Sequence, residues 1–269
     1  METNKCLVTS LKGSIESDNL FRELGCIYFD VNQQNIVNAT QQQSLQLKAV
    51  DYAHWDLEVI GEGAIADSLE ELETNPKQII HKDSGQKTIY VKNANFKLKL
   101  TNKYNITQIR QQNSLNPQNS SCIVIDQQSV SYLTSLGIFI KVGAGSFCID
   151  GLKDSKSLTT LWVFGSKDIY GDISNLKDCT SLQQIRFQDT SISGSIENLG
   201  NLINVTDLRI NNTLCEGNLE TFAQKQVDNG RTSGTLTVYA SNSNVKYNGS
   251  SIASDTITIT FNESGYVIS

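Results

Sequence analysis

Residue patterns for catalysis and metal binding are scarce in this sequence. It has only two histidines, and none of its six cysteines forms a C-x-x-C pair, so no metal-ligand spacing is present. The G-x-S-x-G, P-loop and H-E-x-x-H motifs are absent as well. His54 lies in an alternating segment without a nucleophile motif beside it, which favours a structural or surface histidine over a catalytic one. We therefore predict that the protein is not an enzyme and has no catalytic residue, metal site or cofactor.

The cysteines are isolated from one another along the chain. Free cysteine behaves as a small apolar residue and is among the most buried residue types. We therefore expect the six cysteines to be buried or half-buried free thiols. They are Cys6, Cys26, Cys122, Cys148, Cys179 and Cys215.

Long apolar runs and an excess of positive charge are also missing. No window approaches the ~20 consecutive apolar residues of a membrane span, and no apolar core of signal-peptide length follows Met1. We therefore expect no membrane span, and a chain that folds in the cytoplasm where it is made. The net charge is −6 and the isoelectric point is near 5.0. Because lysine and arginine do not cluster, this balance argues against nucleic acids and anionic membranes as partners.

What the sequence does contain is an internal repeat. Three segments share the apolar order L-x-x-L-x-L, followed by a second apolar segment with one glycine, at offsets of 24 and 23 residues. The segments begin at Leu158, Leu182 and Val205. A unit of this length cannot bury its own apolar face, so neighbouring units must stack. The repeat predicts a short solenoid, an architecture that more often forms a binding or structural surface than a catalyst.

The apolar order and the period resemble a leucine-rich repeat, in the subtype with an extra G-x-I segment after the first strand. The stretch from Ile192 to Leu202 is similar to the form L-x-G-x-I-P-x-x-L-G-x-L, with Glu197 in place of proline. The resemblance implies that the first apolar stretch of each copy is a strand of a parallel sheet on the concave face. The shared glycine, which is Gly194 in the second copy, is expected to adopt a positive φ or to allow close backbone approach.

The position at which the family has asparagine is occupied by hydroxyl residues in this chain. In the family, the asparagine side chain bonds backbone groups of adjacent coils. A hydroxyl group can make similar backbone hydrogen bonds at shorter reach. The residues are Ser166, Thr190 and Thr213.

Segments on both sides extend the predicted solenoid. Upstream, Ile138 to Leu152 matches the repeat, with Phe147 in place of the glycine, and is expected to form the N-terminal cap. Downstream, residues 219–227 have near-helical apolar spacing, which the pair Asn229-Gly230 ends.

Two further strands are predicted near the C-terminus. Leu236-x-Val238 matches the first strand of a repeat. The segment from Ile257 to Phe261 alternates cleanly after the turn signal Asn248-Gly249, so it is expected to close the open end of the solenoid.

Alternation along the predicted strands assigns side chains to the face opposite the core. Aligning the copies places Arg186 beside Arg209 and Arg209 beside Thr237, with Tyr239 in the flanking row. Aromatic and arginine side chains carry much of the energy of protein interfaces. We therefore predict a binding site on this concave face, formed by Phe139, Trp162, Phe164, Arg186, Arg209 and Tyr239. The alternatives are that the N-terminal domain or a sister subunit covers these residues, or that they face solvent.

The first 130 residues show no repeat but several alternating segments, which indicate half-buried strands. We predict one short helix from Ala64 to Leu72, a hairpin turn at residues 92–95 and a linker at residues 111–121. The fold class is therefore mixed and mostly β. An N-terminal β-rich domain at residues 1–130, for anchoring or oligomerisation, precedes a short capped leucine-rich-repeat solenoid at residues 131–269.

One segment of the N-terminal half has the order of a dinucleotide-binding unit. A predicted strand leads into Gly61-x-Gly63-x-x-Ala66, then a helical stretch, a second strand and Asp83. The neighbouring strands alternate, whereas the strands of a parallel sheet would be continuously apolar. Glu62 would also place a carboxylate beside the phosphates. Both observations argue against a dinucleotide site, so a nucleotide-dependent enzyme ranks below the two binding hypotheses given next.

The N-terminal segment from Leu7 to Phe29, which includes Leu7-Val8-Thr9-Ser10-Leu11-Lys12-Gly13, resembles the opening of virion-surface proteins from tailed phages of gut bacteria, including crAss-like phages. The resemblance implies a non-enzymatic head-fibre, decoration or tail-fibre component. It also implies a homo-oligomer located in the virion and assembled in the host cytoplasm. Its partners would be sister subunits, other virion proteins or a host-surface ligand. The alternative is a bacterial leucine-rich-repeat adhesin or partner-binding module.

Overall fold

The protein is mostly β and divides into two compact units, residues 1–147 and 148–269. The computed structural model describes residues 27–32, 43–49, 55–61, 63–82, 85–92, 96–100, 106–112, 120–124, 133–139, 147–253 and 256–269.

The N-terminal unit contains ten strands and one short helix within its described residues. The strands are β1 (Ile27–Asn32), β2 (Gln43–Ala49), β3 (Trp55–Gly61), β4 (Ala64–Ala66), β5 (Ile79–Lys82), β6 (Gly85–Lys92), β7 (Phe96–Leu100), β8 (Ile106–Gln112), β9 (Ser120–Val124) and β10 (Ser135–Phe139), and the helix is α1 (Leu69–Thr74). One sheet has the order β5-β3-β7-β1-β9, and each pair of neighbouring strands in it is antiparallel. In the other, β2 lies between β6 and β8, and β10 is parallel to β8.

Two predictions for this unit are wrong. Alternation identifies a strand but not its partner, and a polar segment with a proline marks a loop but not a domain boundary. The hairpin predicted at residues 92–95 would pair β6 with β7. Instead β6 pairs with β2 and β4, while β7 pairs with β1 and β3. The linker predicted at residues 111–121 leads into β9, which pairs with β1. Both sides of that segment therefore belong to the same unit.

The dinucleotide-binding hypothesis is also contradicted by the structure. A βαβ unit requires two parallel strands joined through a helix, but β3 and β5 are antiparallel neighbours. The segment Ala64–Ala66 is a buried strand instead of a helix start. The helix begins at Leu69, because the Ser68 side chain accepts a hydrogen bond from Glu71 N and acts as the N-cap.

The C-terminal unit consists of stacked coils, each with two strands and a short helical turn. The strands are β11 (Phe147–Cys148), β12 (Thr160–Phe164), β13 (Ile169–Asp172), β14 (Gln184–Arg186), β15 (Ser191–Ser195), β16 (Asp207–Arg209), β17 (Leu214–Asn218), β18 (Gly234–Tyr239), β19 (Asn244–Tyr247), β20 (Ser250–Ser251), β21 (Ile257–Asn262) and β22 (Gly265–Ile268). The turns are the 3-10 helices Ile149–Leu152, Ile173–Leu176 and Ile196–Leu199, and the helix α2 (Leu219–Asp228).

Two parallel sheets run along the stack and enclose its core. The first sheet pairs β12 with β14, β14 with β16, and β16 with β18, all parallel. The second pairs β13, β15, β17 and β19 in the same way. The apolar residues of the repeat, such as Leu161, Ile185 and Leu208, are fully buried between them. The three predicted copies are therefore confirmed as coils of a leucine-rich-repeat-like solenoid.

The C-terminal end of the repeat region is confirmed. At the N-terminal end the turn Ile149–Leu152 is confirmed, whereas Ile138 of the predicted cap lies on β10, which pairs with β8. Ile149 and Leu152 are buried in the same kind of turn as their counterparts in the full coils. The helix α2 follows β17, and Asn229 is its C-cap residue. The strand β21 pairs antiparallel with β18 and buries Ile257, so it closes the parallel sheet as predicted. The last strand, β22, pairs with β21 and was not predicted.

A left-handed residue turns the chain after each strand of the first sheet. The four residues at this position have positive φ: Gly165 (96°), Asp189 (62°), Asn212 (54°) and Asn242 (55°). Glycine, asparagine and aspartate are the residues that adopt this conformation most readily. The sequence of each coil thus contains the residue type that its turn requires.

The hydroxyl residues bond backbone groups as predicted, but they do so within their own coil. Thr190 Oγ1 donates to Phe187 O at 2.7 Å and accepts from Ile192 N at 3.4 Å. Thr213 makes the same pair of bonds one coil later. At this position of the coil, backbone bonds between coils form the ladder instead, such as the one from Asp189 N to Asn211 O at 3.2 Å.

Candidate functional site

The outer face of the first sheet, opposite the core, carries one row of four large side chains. Trp162 is paired with Arg186, Arg186 with Arg209, and Arg209 with Tyr239 across adjacent strands. The residues before and after each of them along the chain are buried. Alternation therefore directs these four side chains away from the core. We call Trp162, Arg186, Arg209 and Tyr239 the arginine row.

Each guanidinium in the arginine row stacks on an aromatic ring. Arg186 Cζ lies 4.2 Å from the centroid of the Trp162 ring, and Arg209 Cζ lies 4.5 Å from that of Tyr239. A planar cation at this distance is attracted by the ring face. The aromatic rings therefore restrict the orientation of both arginines.

One carboxylate bridges the two arginines. Asp207 Oδ2 accepts from Arg186 Nε at 3.0 Å and lies 2.8 Å from Arg186 Nη2. Asp207 Oδ1 accepts from Arg209 Nε, also at 3.0 Å. The Asp207 side chain is only 13% exposed, so solvent screens these pairs less than it would on an open surface. The three groups together carry one net positive charge.

The structure brings together four of the six predicted site residues. These four form the arginine row: Trp162, Arg186, Arg209 and Tyr239. Phe164 is half-buried on β12, two residues beyond Trp162, and therefore lies on the same face but in the next row. Phe139 is the last residue of β10, and its side chain lies outside the described residues.

The predicted position of Tyr239 in the flanking row is wrong. Aligning the repeat copies with one another places Thr237 beside Arg209. The structure instead pairs Thr237 with Asp207, and Tyr239 with Arg209. The coil that leads into β18 contains the ten-residue helix α2, where the preceding coil has a four-residue 3-10 turn. A period of 23 to 24 residues therefore does not predict the register of this strand.

Sequence reasoning missed Asp207 as part of this site. Alternation along β16 directs Asp207 to the same outer face, in the row beside the arginines. The available signal was an acid two residues before Arg209 on the same strand, diagonal to Arg186 on the next. Opposite charges at such positions favour pairing.

No protein-family model matches the sequence, and no curated protein matches it significantly. Solved structures similar to it include the leucine-rich-repeat ectodomain of the plant membrane receptor kinase GASSHO1/SCHENGEN3 from Arabidopsis thaliana in complex with CASPARIAN STRIP INTEGRITY FACTOR 2. That structure is 19% identical, with a TM-score of 0.35, and the match covers 45% of this chain but only 14% of that chain.

Two other similar structures are also leucine-rich-repeat proteins. The ectodomain of the receptor kinase SOBIR1 from Arabidopsis thaliana is 15% identical, with a TM-score of 0.33, over 48% of this chain and 73% of that chain. An internalin from Listeria monocytogenes is 22% identical, with a TM-score of 0.32, over 44% of this chain and 31% of that chain. At these scores, the leucine-rich-repeat character of the C-terminal unit rests on its own stacked coils.

In the part of the chain that the structure describes, no group of three or more His, Cys, Asp or Glu side chains could hold a metal ion. No described helix combines the length and the apolar character needed to cross a bilayer.

Three of the described cysteines are buried thiols that form no disulfide, as predicted: Cys148, Cys179 and Cys215. Burial raises the pKa of the Cys179 and Cys215 thiols to about 11. Because the thiolate is the reactive form, this shift slows alkylation: it lowers the thiolate fraction at pH 8 by about a hundredfold.

We expect Cys179 and Cys215 to resist iodoacetamide at pH 8 in the folded protein and to react fully in urea. Peptide mass spectrometry after a timed pulse measures each site separately. Fast alkylation of either cysteine in the folded protein would contradict its burial.

Proposed function

We propose that the protein is a binding module whose arginine row holds a protein partner. The observation that carries this proposal is the in-register row of Trp162, Arg186, Arg209 and Tyr239 on the outer face of the first sheet. Tryptophan, tyrosine and arginine are the residue types most enriched among interface residues with large binding energies. A row of them on one face is typical of a recognition surface.

The arginine row is also ordered before any partner arrives. Stacking and the bridging Asp207 hold both guanidiniums, so binding does not have to immobilise two long side chains. Each side chain already fixed removes roughly 0.5–1.5 kcal/mol from the cost of association. This order supports recognition through the row over a merely solvated face.

The resemblance of the N-terminal segment to virion-surface proteins gives this proposal a finer form. In that form the protein is a non-enzymatic component of a phage virion, with the N-terminal unit as anchor and the solenoid displayed. Of the segment concerned, the structure describes only Ile27–Phe29, at the start of β1. Location in the virion and assembly as a homo-oligomer therefore stay predictions. Capsid or portal genes beside this gene would favour the virion form over a bacterial adhesin.

Replacing both aromatic residues of the row (W162A/Y239A) should weaken partner binding by roughly tenfold or more, because central aromatic anchors dominate interface energies. We would pan a random peptide library against the full chain and measure the affinity of the selected peptides by fluorescence anisotropy. Near-ultraviolet circular dichroism verifies that the variant is folded.

The matched control truncates two exposed apolar residues outside the row (L214A/V267A). Leu214 is 54% and Val267 58% exposed, so their loss leaves the core intact. We expect this control to bind the selected peptides as the unaltered chain does. Equal binding by W162A/Y239A would contradict the proposed function.

A further inference from the structure

The arginine row contains more hydrogen-bond donors than the chain itself uses. A guanidinium has five N–H donors. Among the described residues, Arg209 donates only through Nε, to Asp207, and Arg186 only through Nε and Nη2. Both side chains remain partly exposed, at 23% for Arg186 and 30% for Arg209. Donors on both arginines are therefore available to an oxyanion approaching from solvent.

The charge of the site favours an anion with a single charge. Two guanidiniums and the Asp207 carboxylate leave one net positive charge in a chain whose net charge is −6. A carboxylate neutralises this charge, whereas a phosphate group carries about −1.5 to −2 at pH 7. Part of the phosphate charge would stay uncompensated beside Asp207. The balance therefore favours a carboxylate ligand.

The geometry of the arginines suits the same ligand. Stacking on Trp162 and Tyr239 holds the guanidinium planes, and Asp207 fixes their Nε edges. A fixed guanidinium fork can bind a carboxylate through two parallel hydrogen bonds. The aromatic rings beside the forks offer apolar contact to the residues that flank such a carboxylate.

We propose that the arginine row binds a peptide segment through a single aspartate or glutamate carboxylate, which accepts hydrogen bonds from Arg186 and Arg209. This inference rests on the proposed function and names the chemistry of the partner. Binding is expected to weaken as salt concentration rises, because exposed ion pairs are screened.

The test uses the same random peptide library, panned against the full chain. Peptides selected by the unaltered chain should be enriched in Asp and Glu relative to the input library. The variant R186Q/R209Q/D207N removes both positive charges without leaving an unpaired carboxylate. It should bind these peptides about tenfold or more weakly, because hydrogen bonds to charged groups are lost.

The matched control removes an ion pair elsewhere in the C-terminal unit. Lys225 Nζ lies 3.7 Å from Glu197 Oε2, and K225Q/E197Q leaves the arginine row unchanged. This control should bind the selected peptides normally. Thermal unfolding verifies that each variant is folded. If the triple variant does not fold, R209Q alone replaces it, because Asp207 then keeps its ion pair with Arg186.

The outcomes separate the inference from the proposed function. Selected peptides that need Trp162 and Tyr239 but show no acidic enrichment would overturn the inference and leave the proposed function standing. Peptides that depend on neither variant would overturn both. Tighter binding after phosphoserine replaces the acidic residue of a peptide would overturn the choice of carboxylate. Self-association in light scattering that the triple variant abolishes would make a second copy the occupant instead of a separate peptide.

Discussion

Gly194→Val should lower the free energy of unfolding of the C-terminal unit by roughly 4 kcal/mol, the largest effect that we expect from a single substitution. Gly194 has φ +99°, a conformation that β-branched residues rarely adopt. A Cβ atom there would lie 2.2 Å from Asp172 Oδ1. Asp172 cannot easily move, because its Oδ1 accepts from Ser174 N at 2.8 Å and caps the following 3-10 turn.

The measurement is thermal and urea unfolding followed by circular dichroism. For a unit of this size, 4 kcal/mol corresponds to a decrease in Tm of about 15 °C. The matched control is Gly230→Val, because Gly230 has φ +95° and no atom within 4 Å of the added Cβ. The control isolates the cost of the backbone conformation. Equal losses at both positions would show that the approach to Asp172 contributes nothing.

Arg231→Ala should destabilise the C-terminal unit by roughly 3 kcal/mol. Arg231 is 5% exposed and connects parts of the chain that are distant in sequence. Its Nη1 donates to Val205 O and Gln226 Oε1, both at 2.7 Å, and its Nη2 donates to Thr235 O at 3.1 Å. Removing the guanidinium leaves the buried acceptors Val205 O and Gln226 Oε1 without this donor, which is the main cost that we expect.

Two effects oppose each other at Arg231. Burial lowers the pKa of its guanidinium to about 10, so at neutral pH burial of the charge reduces stability, and this penalty shrinks only as pH rises above 10. Three hydrogen bonds and stacking 4.2 Å from the Phe261 centroid offset the penalty. We expect the favourable contacts to dominate, because each charged hydrogen bond contributes about 1.5–3 kcal/mol.

Urea unfolding of R231A measures the balance, with the exposed neighbour Thr232→Ala as control. A stability equal to that of the unaltered chain would mean that the desolvation penalty cancels the bonds. That result would place Arg231 among the buried charges that add no net stability.

The repeat was predictable because its signal is local and repeated. Each coil needs buried apolar residues such as Leu161 and Leu208 at fixed spacing, and a glycine such as Gly194 where the preceding coil approaches. The same requirement recurs in every coil, so the sequence carries it several times. The outward direction of Trp162 and Arg186 follows from alternation once a strand is placed.

The N-terminal unit was predicted less well, because its sheets pair strands that are distant along the chain. Alternation located β6 and β7 but paired them with each other, whereas they lie in different sheets. The buried segment Ala64–Ala66 was assigned to a helix because three apolar residues fit either period. Partner choice depends on burial across the whole unit, which no local window contains.

By itself, the sequence determined that the C-terminal unit is a solenoid and where its glycines stand. It also determined that four side chains lie on one face of the sheet: Trp162, Arg186, Arg209 and Tyr239. Only the tertiary structure decided that Asp207 bridges the two arginines and that Tyr239 stands beside Arg209. The physical reason is that periodicity fixes direction within a coil, whereas register between coils depends on how much chain the intervening helix α2 takes up.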